Sequence, residues 1–238
     1  MYYTITLNPA IDMLTKVENF ELGKLNRTGE YDCFVGGKGI NISLLLKNIG
    51  KESKALGFIA GFTGYFIKNE LKKQGIESDF IETKGFTRIN IKLTTDTETE
   101  INSQSSKVSA ENIKEFFNTL EGLNSKDTVF LSGNIIHGME SDDFVKIAEK
   151  VRQKGAILFM STGEVLGANI AKGKVVSTIA AGDSMLAMFV AKYDETKDFK
   201  LSLQYASAAG GATSFSAGVG KKELIEELLV QIKIEELL

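Results

Sequence analysis

The sequence has 238 residues, with 28 lysine and arginine side chains against 31 aspartate and glutamate side chains and a formal net charge of −3. The length suffices for one large α/β domain, and the charge balance excludes the strongly basic surface that nucleic-acid binding requires. The single cysteine, Cys33, excludes an intrachain disulfide and favours a cytoplasmic protein. No apolar run reaches the roughly 18 residues of a spanning helix and no targeting segment is evident, so we expect no membrane partner.

The first third of the chain predicts a strand, a loop and a helix. Tyr2–Leu7 mixes β-branched, aromatic and apolar residues and predicts a strand that ends at the sequence NPAID, which places Asn8 and Asp12 at its carboxyl edge. The segment Lys38–Ile49 carries apolar residues at helical spacing and is followed by Gly50, which is typical of a helix terminus. We therefore expect a helix that is preceded by a glycine-rich loop.

The middle of the chain predicts two further helices and two buried strands. One helix runs through GYFIKNELKKQG and ends at Gly75, and the next is expected to have Ser141 as its N-cap and to end at Gly155. The apolar runs Thr128–Gly133 and Ala156–Met160 flank this last helix and have the composition of parallel strands buried on both faces.

A different pattern appears at Ile89–Thr95, where apolar and polar side chains alternate and the chain continues toward TETEIN. Such alternation predicts a half-exposed antiparallel ribbon, a candidate lid. A helix after Asp183, an alanine-rich segment and an amphipathic tail complete the chain. Strands that alternate with helices favour a mostly parallel sheet, which binds ligands at the carboxyl ends of its strands.

Three glycines in the sequence GGKG lie directly before the first predicted helix: Gly36, Gly37 and Gly39. Glycines allow a tight turn and a close backbone approach to a ligand, and the helix N-terminus that follows favours an anion. Lys38 and Asn41 would add a charge and an amide. A glycine-rich turn without a ligand fits the same residues equally well.

Asp183 follows the small residues AAG and precedes an apolar run that predicts a helix. One interpretation makes Asp183 a helix cap worth about 1 kcal/mol. The other makes it a general base that accepts a hydroxyl proton while the amides of AAG stabilise a transferring phosphoryl group. The local sequence leaves both interpretations open.

The remaining candidates are arginines, a second aspartate and the single histidine. Arg27 and Arg88 are suited to a sugar phosphate because a guanidinium binds phosphate with two hydrogen bonds, although either can equally be a solvated surface residue. Asp12 can accept hydrogen bonds from sugar hydroxyls or organise its own turn. His137 has no cysteine or acid at metal-ligand spacing, so no metal site is expected.

Seven motifs occur in an order that resembles the ribokinase-like (PfkB) carbohydrate kinase family. They are TITLNPAID, FVGGKGINIS, TRINIKL, LSGN, STGE, VVSTIAAGDSM and ASAAGGATSFSAG. The resemblance covers nearly the whole chain. It implies a three-layer α/β fold in one domain, residues 1–238, with a small β lid drawn from about residues 12–35 and 87–102. In this family such lids often mediate homodimers.

The resemblance also implies ATP-dependent phosphorylation of fructose 1-phosphate at its 6-hydroxyl, with Mg²⁺ bridging the nucleotide phosphates. Asp183 then matches the catalytic base, and the turn before it matches the anion hole, which comprises Ala180, Ala181 and Gly182. The residues matching the sugar-phosphate site are Asp12, Arg27, Gly37, Lys38, Asn41, Arg88 and Ser132. The residues matching the nucleotide site are Ser177, Ala209, Gly210 and Ala212.

Two departures from the family pattern concern the nucleotide half of this site. Several dozen family residues are missing near residues 172–176, and AAGD replaces Gly-Ala-Gly-Asp, so that Ala180 would resist a positive φ. These departures leave alternatives beside a fructose 1-phosphate kinase. They are a tagatose-6-phosphate kinase, a non-catalytic sugar-phosphate-binding relative, and a chain whose sequence omits a segment.

Overall fold

The computed structural model describes residues 1–160 and 169–234, with the side chains of residues 157–160 excluded. The STGE motif at residues 161–164 and the last four residues of the predicted tail lie outside these ranges. The strands are β1 (Tyr2–Thr6), β2 (Ala10–Lys16), β3 (Tyr31–Gly36), β4 (Ser53–Ala60), β5 (Glu77–Thr83), β6 (Arg88–Thr94), β7 (Glu98–Asn102), β8 (Thr128–Leu131) and β9 (Ile157–Met160). The helices are α1 (Lys38–Asn48), α2 (Gly61–Lys73), α3 (Ala110–Thr119), α4 (Ser141–Gln153), α5 (Ala181–Thr196), α6 (Phe199–Ser214) and α7 (Lys222–Leu228).

The larger sheet is parallel and has the strand order β5-β4-β1-β8-β9. Successive side chains of a strand point to opposite faces, and both faces of this sheet are covered by helices. Thr4 of β1 therefore faces α1, where its hydroxyl lies 2.7 Å from that of Ser43, whereas Ile5 packs on the opposite side. The carboxyl ends of β1, β4 and β8 meet at one edge of the sheet.

Helices cover the two faces of this sheet with separate apolar clusters. On one face, α3 and α4 contribute Phe116 and Ile147, which pack against Phe58 and Val129 of the strands. On the other face, α1, α5, α6 and α7 share a cluster around the fully buried Phe130. This arrangement confirms the predicted three-layer α/β fold. Among the described residues, no helix combines the length and apolar character needed to cross a bilayer.

The smaller sheet has the order β3-β2-β6-β7 and forms the lid. The outer pairs are antiparallel, as the alternating pattern around Ile89–Thr95 predicted for β6 and β7, but β2 and β6 pair in parallel. One face of the lid is apolar, and its Ile11, Val35 and Ile89 pack near α1 and α2. The opposite face is polar and carries Asp12 beside Asn90.

The start of α4 differs from the sequence prediction by one residue. Ser141 is the first helical residue, and Glu140 is the N-cap. The physical reason is that Asp143 Oδ2 accepts the backbone N–H of Glu140 at 2.9 Å, so a carboxylate inside the first turn stabilises the start of the helix. The serine hydroxyl is not needed for this task.

Candidate functional site

The loops at the carboxyl ends of β1 and β8 lie close to the first residues of β2 and β6. Arg88 Nη2 donates to Asn8 O at 3.2 Å, which joins the lid to the loop after β1. Asn90 Nδ2 donates to Asp12 Oδ1 at 2.9 Å, which joins two lid strands. These contacts place a cluster of polar side chains at the edge of the parallel sheet where such folds bind their ligands.

Unpaired polar atoms are concentrated in this cluster. Within residues 1–160 and 169–234, the buried side-chain nitrogen and oxygen atoms without a hydrogen-bond partner are Asn8 Oδ1, Arg88 Nε, Asn90 Oδ1 and Ser132 Oγ. Buried polar groups in proteins are almost always paired, so each exception needs an explanation. Four exceptions on neighbouring loops and strands indicate a binding site for a polar ligand.

The glycine-rich turn brings the N-terminus of α1 into the same cluster. Gly37 has φ 126°, and a Cβ atom there would lie 2.5 Å from Thr6 Cγ2. A Cβ atom at Gly36 would lie 2.3 Å from Asp12 Oδ2. Glycine is therefore required for the turn itself and for the space that the Asp12 carboxylate occupies.

Asp183 lies in the first turn of α5, and its carboxylate faces α1. Asn41 Nδ2 donates to Asp183 Oδ2 at 3.1 Å, and the side chain of Asp183 is buried. The N-cap of α5 is Ala180, which has no capping side chain, so the interpretation of Asp183 as the helix cap is wrong. The carboxylate is aimed at α1 and away from the backbone N–H groups that a cap would bind.

The ionisation of Asp183 reflects two opposing influences. Burial raises the pKa of Asp183 above its ordinary value, whereas the hydrogen bond from Asn41 and the positive charge of Lys38 oppose this rise. A buried carboxylate with a raised pKa is a stronger proton acceptor than a solvated one once it is ionised. The position and electrostatics of Asp183 therefore suit a general base.

The amides before Asp183 differ in their availability to a ligand. Ala181 N–H donates to Thr178 O at 3.3 Å. Gly182 N–H has no acceptor among the residues that the structure describes, and no described atom outside its own turn lies within 4 Å of the position that a Cβ of Gly182 would take. A free amide at a helix N-terminus suits a phosphoryl oxygen. Gly182 therefore fits the predicted anion hole better than Ala181 does.

Ala180 adopts a left-handed conformation. This conformation is unfavourable for alanine and was expected of the family glycine that Ala180 replaces. Its φ and ψ are 64° and 3°, directly before α5. A non-glycine residue in this region costs on the order of 1 kcal/mol or more. The turn that carries the anion-hole amides is thus strained by a single methyl group.

We expect Ala180→Gly to raise the free energy of unfolding by about 1 kcal/mol, because glycine adopts a positive φ without strain. For a chain of this size this corresponds to a melting temperature higher by about 2–4 °C. Ala110→Gly, at the exposed first position of α3, is the control and should lower stability slightly. A melting temperature for Ala180→Gly at or below that of the unmodified chain would contradict the prediction.

Arg27 lies outside the cluster in this chain. It is exposed in the loop between β2 and β3. The neighbouring Thr28 bonds to Thr15 near the far end of β2, at an Oγ1–Oγ1 distance of 2.6 Å. Thr15 is three residues, or about 10 Å, beyond Asp12 along the strand. The structure therefore brings together Asp12, Gly37, Asn41, Arg88 and Ser132 but leaves Arg27 apart from them.

The predicted nucleotide residues lie on α6 and on the loop before α5. Ala209 and Ala212 are fully buried in the cluster that α6 shares with α5. A Cβ atom at Gly210 would lie 2.7 Å from Met185 Cγ. These three residues offer no surface to a ligand in this arrangement, and Ser177 is held by its backbone N–H to Ser214 O at 3.2 Å. Their contact with a nucleotide stays a prediction.

Sequence reasoning placed Asn8 at the carboxyl edge of β1 but assigned it no role, and it missed Asn90. A signal for Asn90 was present, because it follows Arg88 by two residues in a strand and so shares its face. Among the residues that the structure describes, no group of three or more histidine, cysteine or acidic side chains is arranged to hold a metal ion. His137 is exposed in the loop after β8.

A family model described as pfkB family carbohydrate kinase matches the chain in two segments, residues 5–159 and 152–225. The 1-phosphofructokinase of Bacillus subtilis (strain 168) is 34% identical, with all of both chains covered. The D-tagatose-1-phosphate kinase of Bacillus licheniformis is 30% identical, again with full coverage of both. Among solved structures, phosphofructokinase-2 from Escherichia coli superposes with a TM-score of 0.87 at 14% identity, covering 96% of this chain and 98% of that one.

The alignment with the B. subtilis protein also shows a difference in length. It extends over 303 positions, whereas the chain has 238 residues, so at least 65 positions are gaps in this chain. The structural match shows a shared fold.

Proposed function

The chain belongs to the pfkB family of carbohydrate kinases, and we propose that it transfers a phosphoryl group from ATP to the 6-hydroxyl of fructose 1-phosphate. One observation carries this proposal. The unpaired polar atoms belong to β6 and to the residues that follow β1 and β8, and Asn41 of α1, the helix after the glycine-rich turn, donates to the buried carboxylate of Asp183. A sugar bound by the first group would have its reacting hydroxyl near the second.

The proposed chemistry needs a base and a stabilised anion. Asp183 accepts the proton of the 6-hydroxyl as that oxygen forms its bond to the γ-phosphorus and the bond from phosphorus to the leaving ADP oxygen breaks. The free amide of Gly182 and the N-terminus of α5 stabilise the charge on the transferring group. Positioning rather than covalent catalysis supplies the rate enhancement in such a reaction.

ATP and Mg²⁺ require different protein groups for their binding. We expect the phosphate end of ATP to lie at the unpaired amide of Gly182. Ala209 and Ala212 are buried in the structure, so their contact with the nucleoside end stays a prediction. The described ranges contain no group of three or more histidine, cysteine or acidic side chains that could hold a metal ion. Mg²⁺ commonly binds through substrate phosphates with one or two protein groups, so this donor set agrees with an ion carried mainly by the nucleotide.

We expect Arg88→Lys to raise KM for fructose 1-phosphate by about 10- to 100-fold while kcat falls by less than about threefold. Arg88 Nε is buried and unpaired, and Nη2 is held by Asn8 O, so the guanidinium is oriented for a phosphate. Lysine lacks this fixed pair of donors. Steady-state kinetics checks the split. Arg152→Lys, on the exposed side of α4, is the control and should leave both constants unchanged.

A tagatose phosphate is the alternative substrate, and the 30% identity to a D-tagatose-1-phosphate kinase favours it specifically. Fructose and tagatose differ only in the configuration at C4. Comparing kcat/KM for fructose 1-phosphate, tagatose 1-phosphate and tagatose 6-phosphate decides between them. A preference of more than about tenfold for a tagatose phosphate would overturn the fructose assignment and keep the kinase.

A non-catalytic sugar-phosphate-binding protein is the second alternative. It is favoured by the gaps opposite at least 65 aligned positions and by the buried residues of α6. The test is to incubate the purified chain with Mg²⁺, ATP and fructose 1-phosphate and to follow ADP and fructose 1,6-bisphosphate by ³¹P NMR. Equal yields of both products, absent without the sugar, support the kinase. Calorimetric binding of fructose 1-phosphate without turnover would support the alternative.

The lid also supports a proposal about assembly, namely a homodimer formed through it. Its strands and the β2–β3 loop expose large apolar side chains, which are Leu22, Leu25, Tyr31 and Ile101. Arg27 lies on the same β2–β3 loop, apart from the site of its own chain. We therefore expect the dimer to bring Arg27 of one copy near the sugar phosphate of the other. Light scattering should give about twice the chain mass, and Ile101→Lys should shift it toward one copy. A monomer at micromolar concentration would contradict the dimer. The cytoplasmic location stays a prediction.

A further inference from the structure

The side-chain amide of Asn90 has an orientation fixed by its neighbours. Asn90 and Asp12 are register partners on the parallel strands β6 and β2, so they lie side by side on the polar face of the lid. Asn90 Nδ2 is 2.9 Å from Asp12 Oδ1. An ionised carboxylate only accepts hydrogen bonds, so the nitrogen of the amide must face it. Asn90 Oδ1 therefore points elsewhere, and it is buried without a partner.

Asn8, in the loop after β1, has the same arrangement. Its Nδ2 donates to Ile135 O, at 3.3 Å, in the loop that follows β8. A backbone carbonyl also only accepts, which fixes this amide in turn. Asn8 Oδ1 is buried and unpaired. The site thus holds two amide oxygens whose direction is determined by the chain and whose hydrogen bonds are unmade.

The chemistry of these oxygens separates two parts of a ligand. A phosphate dianion has acceptors only, so it cannot satisfy an amide oxygen. Hydroxyl groups donate, and they can satisfy Asn8 Oδ1, Asn90 Oδ1 and the Asp12 carboxylate. Arg88 Nε is an unpaired buried donor in the same cluster and suits the phosphate, and the unpaired Ser132 hydroxyl can donate or accept. The unpaired atoms therefore fit a ligand that carries both a phosphate group and hydroxyl groups.

We infer that Asn90 is a binding and positioning residue for the sugar: its Oδ1 accepts a hydrogen bond from one sugar hydroxyl while its Nδ2 holds the Asp12 carboxylate toward another, and Asn8 accepts from a further hydroxyl. This inference rests on the proposed sugar-phosphate kinase function. It adds that rejection of a deoxy sugar phosphate originates in these two asparagines. A buried acceptor that loses its donor keeps its desolvation cost, so the missing hydroxyl is detected strongly.

The test combines Asn90→Leu with substrates that each lack one hydroxyl, 3-deoxy- and 4-deoxyfructose 1-phosphate. The unmodified chain should lose about 10- to 100-fold in kcat/KM with one of these analogues. Asn90→Leu should lose a similar factor in kcat/KM with fructose 1-phosphate. The kcat/KM of this variant for that analogue should be lower than its kcat/KM for fructose 1-phosphate by less than about threefold. Such non-additivity identifies the pair in contact. Losses that multiply fully with both analogues would overturn the inference, because a purely structural role produces that result.

Two further variants keep the test decisive if Asn90→Leu folds poorly. Asn102→Leu is the matched control, because Asn102 is the exposed register partner of Asn90 on β7 and should behave as the unmodified chain. The exchange Asp12→Asn with Asn90→Asp keeps one amide-to-carboxylate hydrogen bond. The double variant should be at least tenfold more active than Asn90→Asp alone. Equal activity of the two would contradict the positioning role. A chain that neither binds nor phosphorylates fructose 1-phosphate would instead overturn the proposed function.

Discussion

Asp183→Asn is expected to lower kcat by a factor on the order of 10² to 10⁴ and to leave the affinity for fructose 1-phosphate within about threefold. The amide has the shape of the carboxylate and its oxygen can still accept from Asn41 Nδ2, so the geometry around α1 is preserved. It cannot accept the hydroxyl proton. Single-turnover kinetics and calorimetry with the sugar alone measure the two effects separately. Residual kcat above about a tenth of normal would exclude Asp183 as the base.

The same variant should not be less stable at neutral pH. Burial raises the pKa of Asp183, which means that the folded state favours the protonated form. The stability that this group contributes is fully present at low pH and is lost as the pH rises through the raised pKa. Replacing the ionised group by a neutral amide removes that loss. Thermal melting at pH 7 should therefore give an equal or higher melting temperature for Asp183→Asn.

The pH profile of the unmodified chain follows from the same shift. Asp183 acts as a base only when it is ionised, so kcat/KM should fall with decreasing pH as the group becomes protonated. Because its pKa is raised, this fall should begin at a higher pH than for an ordinary aspartate. An acidic limb at the position of a solvated aspartate would show that another group limits the rate.

Gly37→Ala is expected to lower kcat/KM by more than about 100-fold and the free energy of unfolding by about 2–4 kcal/mol. The alanine backbone would have to adopt an unfavourable φ of 126°, and its methyl group would lie 2.5 Å from Thr6 Cγ2. Backbone strain and steric crowding therefore both lower stability. Relief requires the start of α1 to move away from β1. That movement would displace Asn41 from Asp183 and the turn from the sugar site.

Gly50→Ala provides the matched control for this substitution. Gly50 also has a positive φ, 77°, but no atom lies within 4 Å of the position its Cβ would take. It should therefore show only the conformational cost, about 1 kcal/mol, with normal kinetics. Chemical denaturation and steady-state kinetics on both variants separate strain from crowding. Equal effects of the two substitutions would contradict the role assigned to the turn.

Much of the fold could be predicted because its signals are local. The apolar spacing of Lys38–Ile49 and the apolar run at Thr128–Gly133 gave α1 and β8 correctly. The parallel pairing of β2 with β6 could not be found this way, since it joins strands about 80 residues apart. The start of α4 was missed because the choice between Glu140 and Ser141 depends on a hydrogen bond that no pattern encodes.

The site was predictable in its residue types but not in their relations. The motif order identified Asp183 as a base candidate, yet only the fold shows that its carboxylate faces Asn41 and does not cap α5. The position of Asn8 was predicted but its role was not, and Asn90 was missed, because an unmade hydrogen bond becomes visible only when every neighbour is in place. Arg27 was expected at the phosphate, and its distance from Asp12 follows from the length of the β2–β3 hairpin.

In the proposed kinase, the hydrogen bond between Asn41 and Asp183 would make sugar binding and proton binding interdependent. A sugar that engages α1 changes the donor that stabilises the Asp183 carboxylate, so it changes the acidity of that group. Thermodynamic reciprocity then requires that the protonation state of Asp183 changes the affinity for the sugar by the same factor. Binding of the sugar would thereby change the pKa of the base that accepts its proton, and the coupling between the two would depend on the side-chain amide of Asn41.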